Sequence, residues 1–141
     1  MSLLKVNIHF VWGTKNRVQF LDTKELRQNV WNHIKVNANE KGIFIDNVNG
    51  YSDHCHCLVS LRADQSIQKV IQLIKGESSF WINKQKLTSH KFEWQEDYFA
   101  LSVSESMLEI VRNYINNQEE HHSKKSFQQE YIELIKKFGL D

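Results

Sequence analysis

The sequence predicts an α+β fold in which helices pack on one face of an antiparallel sheet. Four β-rich runs alternate with helical patterns in the order β-α-β-β-α-β-α, which is typical of a ferredoxin-like arrangement. The chain has 141 residues, no proline and only five glycines, so no linker divides it and we expect residues 1–141 to form one domain. A content of 40% hydrophobic and 25% charged residues excludes a fibrous or wholly disordered protein.

Runs rich in β-branched and aromatic residues predict the strands. In the first run, VNIHFVW, every second side chain is apolar, which is the pattern of a half-buried strand. Ser52 and Asp53 lie between the second and third runs, so we expect a hairpin or a close strand pair. The predicted strands are 6–12, 43–51, 56–61 and 98–103.

Apolar residues at helical spacing predict the helices. The first helix has Asp22 or Thr23 as its cap and ends at Gly42. The second begins at Ser66 and is interrupted by the polar segment KGESS, and the third has Ser104 as its cap. The predicted helices are 22–41, 66–81 with the interruption at 75–79, 104–118 and 126–138.

Charge is distributed unevenly along the chain. Residues 1–91 contain 13 Lys or Arg against 7 Asp or Glu, whereas residues 92–141 contain 5 against 10. A basic N-terminal part is compatible with a nucleic-acid partner, and uneven surface charge without a partner is the alternative.

No stretch approaches the roughly 20 apolar residues of a membrane span, so we expect a cytoplasmic protein without membrane association. We expect Cys55 and Cys57 to be free thiols.

The run YSDHCHCLVSL contains two histidines at a spacing of two residues. On a strand, His54 and His56 point to the same face, whereas on a helix they point apart. The pair is therefore a candidate metal site if this run is a strand, and a surface or packing role is the alternative. Cys55 and Cys57 fall on the opposite face, so a zinc site made from the histidines and a cysteine conflicts with the strand alternation.

The predicted helix 104–118 carries a polar residue at the end of its buried stripe. The stripe comprises Met107, Ile110, Val111, Tyr114, Ile115 and Gln118. A buried glutamine without hydrogen bonds or a ligand costs about 1–3 kcal/mol, so Gln118 needs a partner. Tyr114 lies one turn earlier on the same face, and a core tyrosine with a bonded hydroxyl is the alternative to a functional one.

Read together, the motifs resemble the IS200/IS605-type transposases, the Y1 transposases of the HUH (His-hydrophobe-His) endonuclease superfamily. The resemblance covers nearly the whole chain through the segments IHFVWGTKNR, DHCHCLVSL, KGESS, EWQEDYFALSVS and YINNQ, in this order. The sequence departs from the family at Ser52, where proline or methionine is common, and at Cys55 between the histidines. Neither departure removes a catalytic atom.

The resemblance implies a transposase that cuts and rejoins single-stranded DNA through a 5′-phosphotyrosine intermediate. Tyr114 would be the nucleophile, and His54, His56 and Gln118 would hold one divalent cation, Mg²⁺ or Mn²⁺. The implied partners are hairpin-forming element ends and a second copy of the chain, in a homodimer whose catalytic helix can be exchanged. The implied location is the bacterial cytoplasm, with nucleoid association when DNA is bound.

Further residues are candidates for supporting roles. Basic or small polar side chains suited to DNA phosphates are Lys15, Arg17, Lys75, Ser78 and Ser79. Aromatic residues that either stack on unpaired bases or pack in the core are Trp12, Trp81, Trp94 and Tyr98. Candidate bases for the tyrosine proton are Glu119, His121 and His122, although the two histidines fit a solvated helix end better. Asp53 either orients His54 or stabilises a turn.

Two other functions are compatible with these residues. The first is a domesticated relative that acts on dispersed chromosomal hairpin repeats instead of its own element. The second is a non-catalytic DNA-binding protein or repressor that keeps the basic surface after losing turnover. Retention of both histidines, Tyr114 and Gln118 favours an active enzyme over a repressor.

Overall fold

The structure is a computed structural model that describes residues 3–122 and 124–139, and it confirms the α+β fold. The four strands form one sheet in the order β2-β3-β1-β4, and every neighbouring pair is antiparallel. The elements follow one another as in a ferredoxin-like fold, with two helices joining the strands. The strands are β1 (Val6–Gly13), β2 (Phe44–Tyr51), β3 (His54–Leu61) and β4 (Phe99–Val103).

Five α-helices occur in the described residues, and side-chain caps begin three of them. Thr23, Ser66 and Ser126 each accept a hydrogen bond from the backbone N–H three residues later. In the two described ranges, no helix is both long and apolar enough to cross a membrane. The helices are α1 (Lys24–Glu40), α2 (Ile67–Lys84), α3 (Leu108–Asn116), α4 (Gln118–His122) and α5 (Phe127–Phe138).

Helix α2 continues through the segment 75–79, so the predicted interruption is wrong. Ser78 is fully buried, and its hydroxyl donates to the carbonyl oxygen of Ile74 at 2.7 Å. The same hydroxyl accepts a hydrogen bond from Trp94 Nε1 at 2.9 Å. The polar residues of KGESS are therefore compatible with a helix because the one that is buried has its hydrogen bonds satisfied.

The predicted helix 104–118 is divided into shorter pieces. Residues Glu105–Met107 form a 3₁₀ turn, and the Ser104 side chain makes no cap hydrogen bond, so the predicted cap is wrong. The helix breaks at Asn117, and Gln118 begins the separate helix α4. Met107 and Ile110 are 42% and 59% exposed, so the predicted stripe is buried only toward its C-terminal end.

Helices cover both faces of the sheet, whereas the sequence predicts cover on one face. Helices α1 and α2 pack on the face that carries Phe10 and Cys57, both fully buried in the main core. On the opposite face, Leu58 packs against Leu108 and Ile115 of the C-terminal helices. The second face needs its own cover because alternate residues of β3 are buried on that side as well.

The two cysteines are free and buried, as predicted. Cys55 and Cys57 belong to the main core beneath α1 and α2. They lie on the face of β3 opposite to His54 and His56, so a zinc site that combines these histidines with a cysteine is excluded.

Replacing Gly50 by alanine should destabilise the fold. The new Cβ would press into the carbonyl oxygen of His54 and lie 3.0 Å from Cys55 Cα, and backbone atoms of two paired strands have little room to move. We expect Gly50→Ala to lower the free energy of unfolding by at least about 2 kcal/mol, measured by urea denaturation. Gly76→Ala is the matched control, because nothing lies within 4 Å of its Cβ and a helical alanine adds about 0.5–1 kcal/mol. Equal stability of the two variants would contradict this packing.

Candidate active site

The central strand β3 positions the two histidines of the HxH pair. His54 pairs with Gly13 and Tyr51, and His56 pairs with Val11 and Asn49, so both residues lie within the ladder. The strand begins two residues earlier than predicted and therefore includes His54. Both imidazoles are fully buried on the same face, which agrees with the expectation from the period of a strand.

Helix α3 brings Tyr114 to this face through polar contacts with β2. Arg112 forms an ion pair with Asp46, with Nη2 and Oδ2 2.8 Å apart. Near the end of the helix, Asn49 Nδ2 donates to the carbonyl oxygen of Ile115 at 2.9 Å. Carbonyl groups at a helix C-terminus lack partners within the helix, so this contact satisfies one of them and fixes the last turn.

Helix α4 is held by the buried guanidinium of Arg27. Its Nε and Nη2 donate to the two carboxylate oxygens of Glu119 at 2.7 and 2.9 Å, and Nη1 donates to the carbonyl oxygen of Leu21 at 2.8 Å. Both carboxylate oxygens of Glu119, which the sequence suggests as a base for Tyr114, therefore accept hydrogen bonds from Arg27. The adjacent Gln118 is fully buried, and its Oε1 lies 3.0 Å from His54 Nε2, so the predicted need for a partner is met.

The carboxylate of Glu130 on α5 lies at the centre of the site. Its Oε1 is 3.1 Å from His56 Nε2, 3.4 Å from His54 Nε2 and 3.3 Å from His122 Nε2. Its Oε2 accepts hydrogen bonds from the Tyr114 hydroxyl and from Gln118 Nε2. One carboxylate therefore contacts all four residues that the sequence selects as the catalytic set.

Neighbouring groups orient the imidazole rings. His54 Nδ1 donates to Asp53 Oδ1 at 2.8 Å, so Asp53 has the orienting role and not only a turn role. His56 Nδ1 lies 2.9 Å from Nε2 of His9. His122 Nδ1 donates to the carbonyl oxygen of Lys125 at 2.6 Å. Each Nε2 atom is consequently directed toward Glu130 by the contact that its ring makes on the other side.

The buried environment shifts the pKa values of the site. Burial lowers the pKa of His56 to about 4, although Glu130 opposes this effect, and burial together with His56 lowers the pKa of His9 to about 3. Burial and the negative charge of Glu130 raise the pKa of Tyr114 well above its usual value. The pKa of Glu130 lies below its usual range. Burial alone would raise it, but hydrogen bonds from His122 and His56 have a larger, opposite effect. At neutral pH the site therefore contains neutral His9 and His56, a protonated phenol and an ionised carboxylate.

Glu130 and His9 were not selected from the sequence, and His122 was interpreted as part of a solvated helix end. That interpretation is wrong, because the His122 side chain is only 2% exposed. A signal for Glu130 was present: it lies at helical spacing among Phe127, Tyr131 and Leu134, so a charged residue interrupts the apolar stripe of α5.

Comparison with known proteins identifies the family. The family described as "Transposase IS200 like" matches residues 2–118, which include both motif histidines, Tyr114 and Gln118. The chain belongs to the IS200-like transposase family. This result confirms the resemblance found in the sequence.

Similar proteins agree with the assignment to the IS200-like transposases. The ISDra2 transposase TnpA of Deinococcus radiodurans is 26% identical over 120 residues, which cover 81% of this chain and 84% of that protein. A crystal structure described as a transposase from Deinococcus radiodurans has a TM-score of 0.64 at 24% identity, covering 83% of this chain and 93% of that one. A REP-associated tyrosine transposase bound to a REP hairpin has a TM-score of 0.64 at 16% identity, covering 86% and 72%. The two solved structures establish a shared fold.

In this IS200-like transposase, most predicted DNA contacts lie beside two neighbouring cavities. Lys15, Lys75 and Ser79 line a cavity of about 740 Å³, and Arg17 lines a second one of about 380 Å³. Ser78 lines neither cavity, and its buried hydroxyl donates to a carbonyl oxygen within α2, so it is not placed to contact DNA.

The four candidate stacking aromatics differ in their exposure in this transposase. Trp12 and Trp94 are buried in the core, so the core alternative is correct for both. Trp81 stacks on His33 with ring centroids 3.8 Å apart. Tyr98 is 38% exposed and lines both cavities, which makes it the best placed of the four to contact a base.

Removing the charge of Arg27 should destabilise the transposase more than removing an exposed charge. Arg27→Met leaves the Glu119 carboxylate and the Leu21 carbonyl without their donor, so we expect a loss of about 2–3 kcal/mol in the free energy of unfolding. Arg62→Met is the control, because Arg62 and its partner Asp64 are both mostly exposed, and it should cost about 0.5 kcal/mol or less. Similar urea midpoints for the two variants would show that Arg27 does not hold α4.

Proposed function

We propose that this chain cuts and rejoins single-stranded DNA at the hairpin-forming ends of a mobile element, with Tyr114 as the nucleophile. The observation that carries the proposal is the convergence of Tyr114, His54, His56 and Gln118 on one carboxylate within a single chain. Membership of the IS200-like family supports the same chemistry. Core packing alone does not account for three fully buried polar side chains that meet a half-buried tyrosine at one point.

The donor set fits a divalent cation held by His54, His56 and Gln118. His56 is neutral at physiological pH because its pKa is lowered, and the neutral imidazole is the form that binds metals. The amide oxygen of Gln118 is directed at His54, so its donor atom already faces the site. When bound, Mg²⁺ or Mn²⁺ would polarise an oxygen of the scissile phosphate.

Tyr114 supplies the covalent step. Its phenolic oxygen attacks the phosphorus, the bond from phosphorus to the 3′ oxygen breaks, and a 5′-phosphotyrosine and a free 3′-hydroxyl result. The phenol proton has an acceptor in place because the hydroxyl already donates to Glu130 Oε2. The departing 3′ oxygen takes up a proton. Attack by a 3′-hydroxyl on the phosphotyrosine reverses these steps and rejoins a strand without external energy, because one phosphoester bond replaces another.

The cavities beside the site offer a path for the strand. Lys15 and Arg17 lie in the loop after β1, Lys75 and Ser79 lie on α2, and their donors suit phosphates. Tyr98 lies between the two cavities and offers an aromatic face to an unpaired base. A homodimer with an exchanged catalytic helix stays a prediction, because the contacts of α3 described above are made within one chain.

Tyr114→Phe should abolish a covalent adduct with single-stranded DNA. Labelled strands that cover the DNA flanking the gene are incubated with Mg²⁺, Mn²⁺ or a chelator and separated on a denaturing gel. We expect a metal-dependent adduct that disappears in Tyr114→Phe, which lacks the nucleophilic oxygen, and in His56→Gln, which lacks a cation ligand. Tyr131→Phe is the matched control: it removes a different phenol, keeps the aromatic ring that lines the second cavity beside Arg17, and should keep the adduct.

Two further results of this gel are informative. A mixture of Tyr114→Phe and His56→Gln proteins should form no adduct if each chain uses its own tyrosine, whereas restored adduct would indicate an exchanged helix. Binding of the flanking strands without an adduct under any metal condition would contradict the proposed nuclease and favour the non-catalytic DNA-binding protein.

Lys15→Gln should weaken the binding of single-stranded DNA and reduce its dependence on salt. The Lys15 side chain is 57% exposed and lines the larger cavity, so we expect its charge to displace about one counterion from the strand. The slope of log K against log salt concentration, measured by fluorescence anisotropy, should fall by about 0.7. Lys69→Gln removes an exposed charge from α2 outside both cavities and should leave the slope unchanged. Equal slopes for wild type and Lys15→Gln would place the strand elsewhere.

A further inference from the structure

We propose that Glu130 and His122 are additional ligands of the divalent cation, so that α5 supplies an anionic ligand which the histidine pair and Gln118 lack. This inference rests on the proposed function, since it concerns the same cation. It assigns a role in metal binding to residues outside the HxH motif and outside the tyrosine helix.

The spacing of the donor atoms fits one shared ion. The Oε1 atom of Glu130 lies 3.1 to 3.4 Å from the Nε2 atoms of His54, His56 and His122. Adjacent ligands of an octahedral ion with bonds of about 2.1 Å lie about 3 Å apart. His54, His122 and Glu130 also offer donor atoms that all lie within 4.8 Å of one another. Glu130 is thus already at ligand distance from the two histidines of the proposed donor set.

The hydrogen bonds of the two outer histidines leave lone pairs facing the carboxylate. The Nδ1 proton of His54 is donated to Asp53, and the Nδ1 proton of His122 is donated to the carbonyl oxygen of Lys125. In the neutral form of each ring, Nε2 then carries a lone pair. An ionised carboxylate also offers only lone pairs. This tautomer, in which Nδ1 is bonded to an oxygen and the Nε2 lone pair is available to a ligand, is the one that metal-binding histidines adopt.

The burial of the Glu130 carboxylate is a further feature that suits a metal ligand. Its side chain is only 2% exposed, and burying a carboxylate is costly unless it is paired or binds a metal. In the part of the chain that the structure describes, the ion pairs of Glu130 involve histidines and no Lys or Arg. Lys125 is directed instead to Glu133, with Nζ and Oε2 2.7 Å apart. A divalent cation would therefore meet a buried carboxylate whose Oε1 atom already lies beside three imidazole nitrogens.

Metal binding is then coupled to the docking of α5. The helix has a cap at Ser126 and a left-handed Gly139 at its end, and its buried residues are Phe127 and Glu130. If the cation joins Glu130 to β3, adding the metal should protect the backbone amides of α5 against hydrogen exchange. A carboxylate that only packs against the histidines gives no such dependence on metal.

The experiment measures Mn²⁺ binding to the full chain without DNA. Free Mn²⁺ is quantified by electron paramagnetic resonance for wild type, Glu130→Gln, His122→Asn and the control Glu133→Gln, whose carboxylate is on the same helix but mostly exposed. We expect the Kd for Mn²⁺ to rise about 10-fold or more in Glu130→Gln and His122→Asn, and to stay unchanged in Glu133→Gln. Hydrogen exchange of α5, with and without Mn²⁺, is measured on the same proteins, and circular dichroism verifies their folding.

The outcomes separate this inference from the proposed function. An unchanged Kd in folded Glu130→Gln, or metal-independent exchange of α5 in wild type, overturns the inference even if wild type forms the DNA adduct. A Kd that depends on Glu130 in a protein that forms no adduct with any strand supports the metal site and contradicts the nuclease. If Glu130→Gln does not fold, His122→Asn and the exchange of α5 in wild type decide the question.

Discussion

The two-residue period of β3 is the constraint on which the site depends. It directs His54 and His56 to one face of the sheet and Cys55 and Cys57 to the other. A single strand therefore contributes side chains both to the candidate active site and to the main core. Because β3 is paired on both sides, by β1 and β2, its backbone is among the most constrained in the fold. Two imidazoles on such a strand are held in a fixed relation before any ligand arrives.

Polar contacts, more than apolar area, attach the tyrosine helix to the sheet. Among the residues that the structure describes, the apolar cluster on that face contains three buried side chains, of which Leu58 comes from the sheet. The helices are fixed instead by Asp46, by Asn49 and by the buried Arg27. Hydrogen bonds to defined atoms determine the register of a helix more narrowly than a smooth apolar contact does. Tyr114 and Gln118, the proposed nucleophile and the proposed metal ligand, lie on consecutive helices and need positions that are fixed in this way.

The sequence was most informative where one periodic element determines the geometry. The common face of His54 and His56 and the burial of Gln118 could be predicted because both depend on local spacing alone. The break at Asn117, the continuous α2 and the second helical layer could not, since each depends on tertiary contacts such as the bond from Trp94 to Ser78. Glu130 was missed for the same reason: its role depends on α5 folding back over a strand more than 70 residues earlier.

The two buried thiols allow the opening of the central strand to be followed by chemical labelling. Burial raises the pKa of Cys55 and of Cys57 well above the usual range of a thiol, so little of the reactive thiolate forms while the sheet is closed. An alkylating reagent can reach either sulfur only when β3 separates from the helices that cover it. The rate of thiol modification therefore reports the opening of the same strand that holds His54 and His56, without a label being added to the protein.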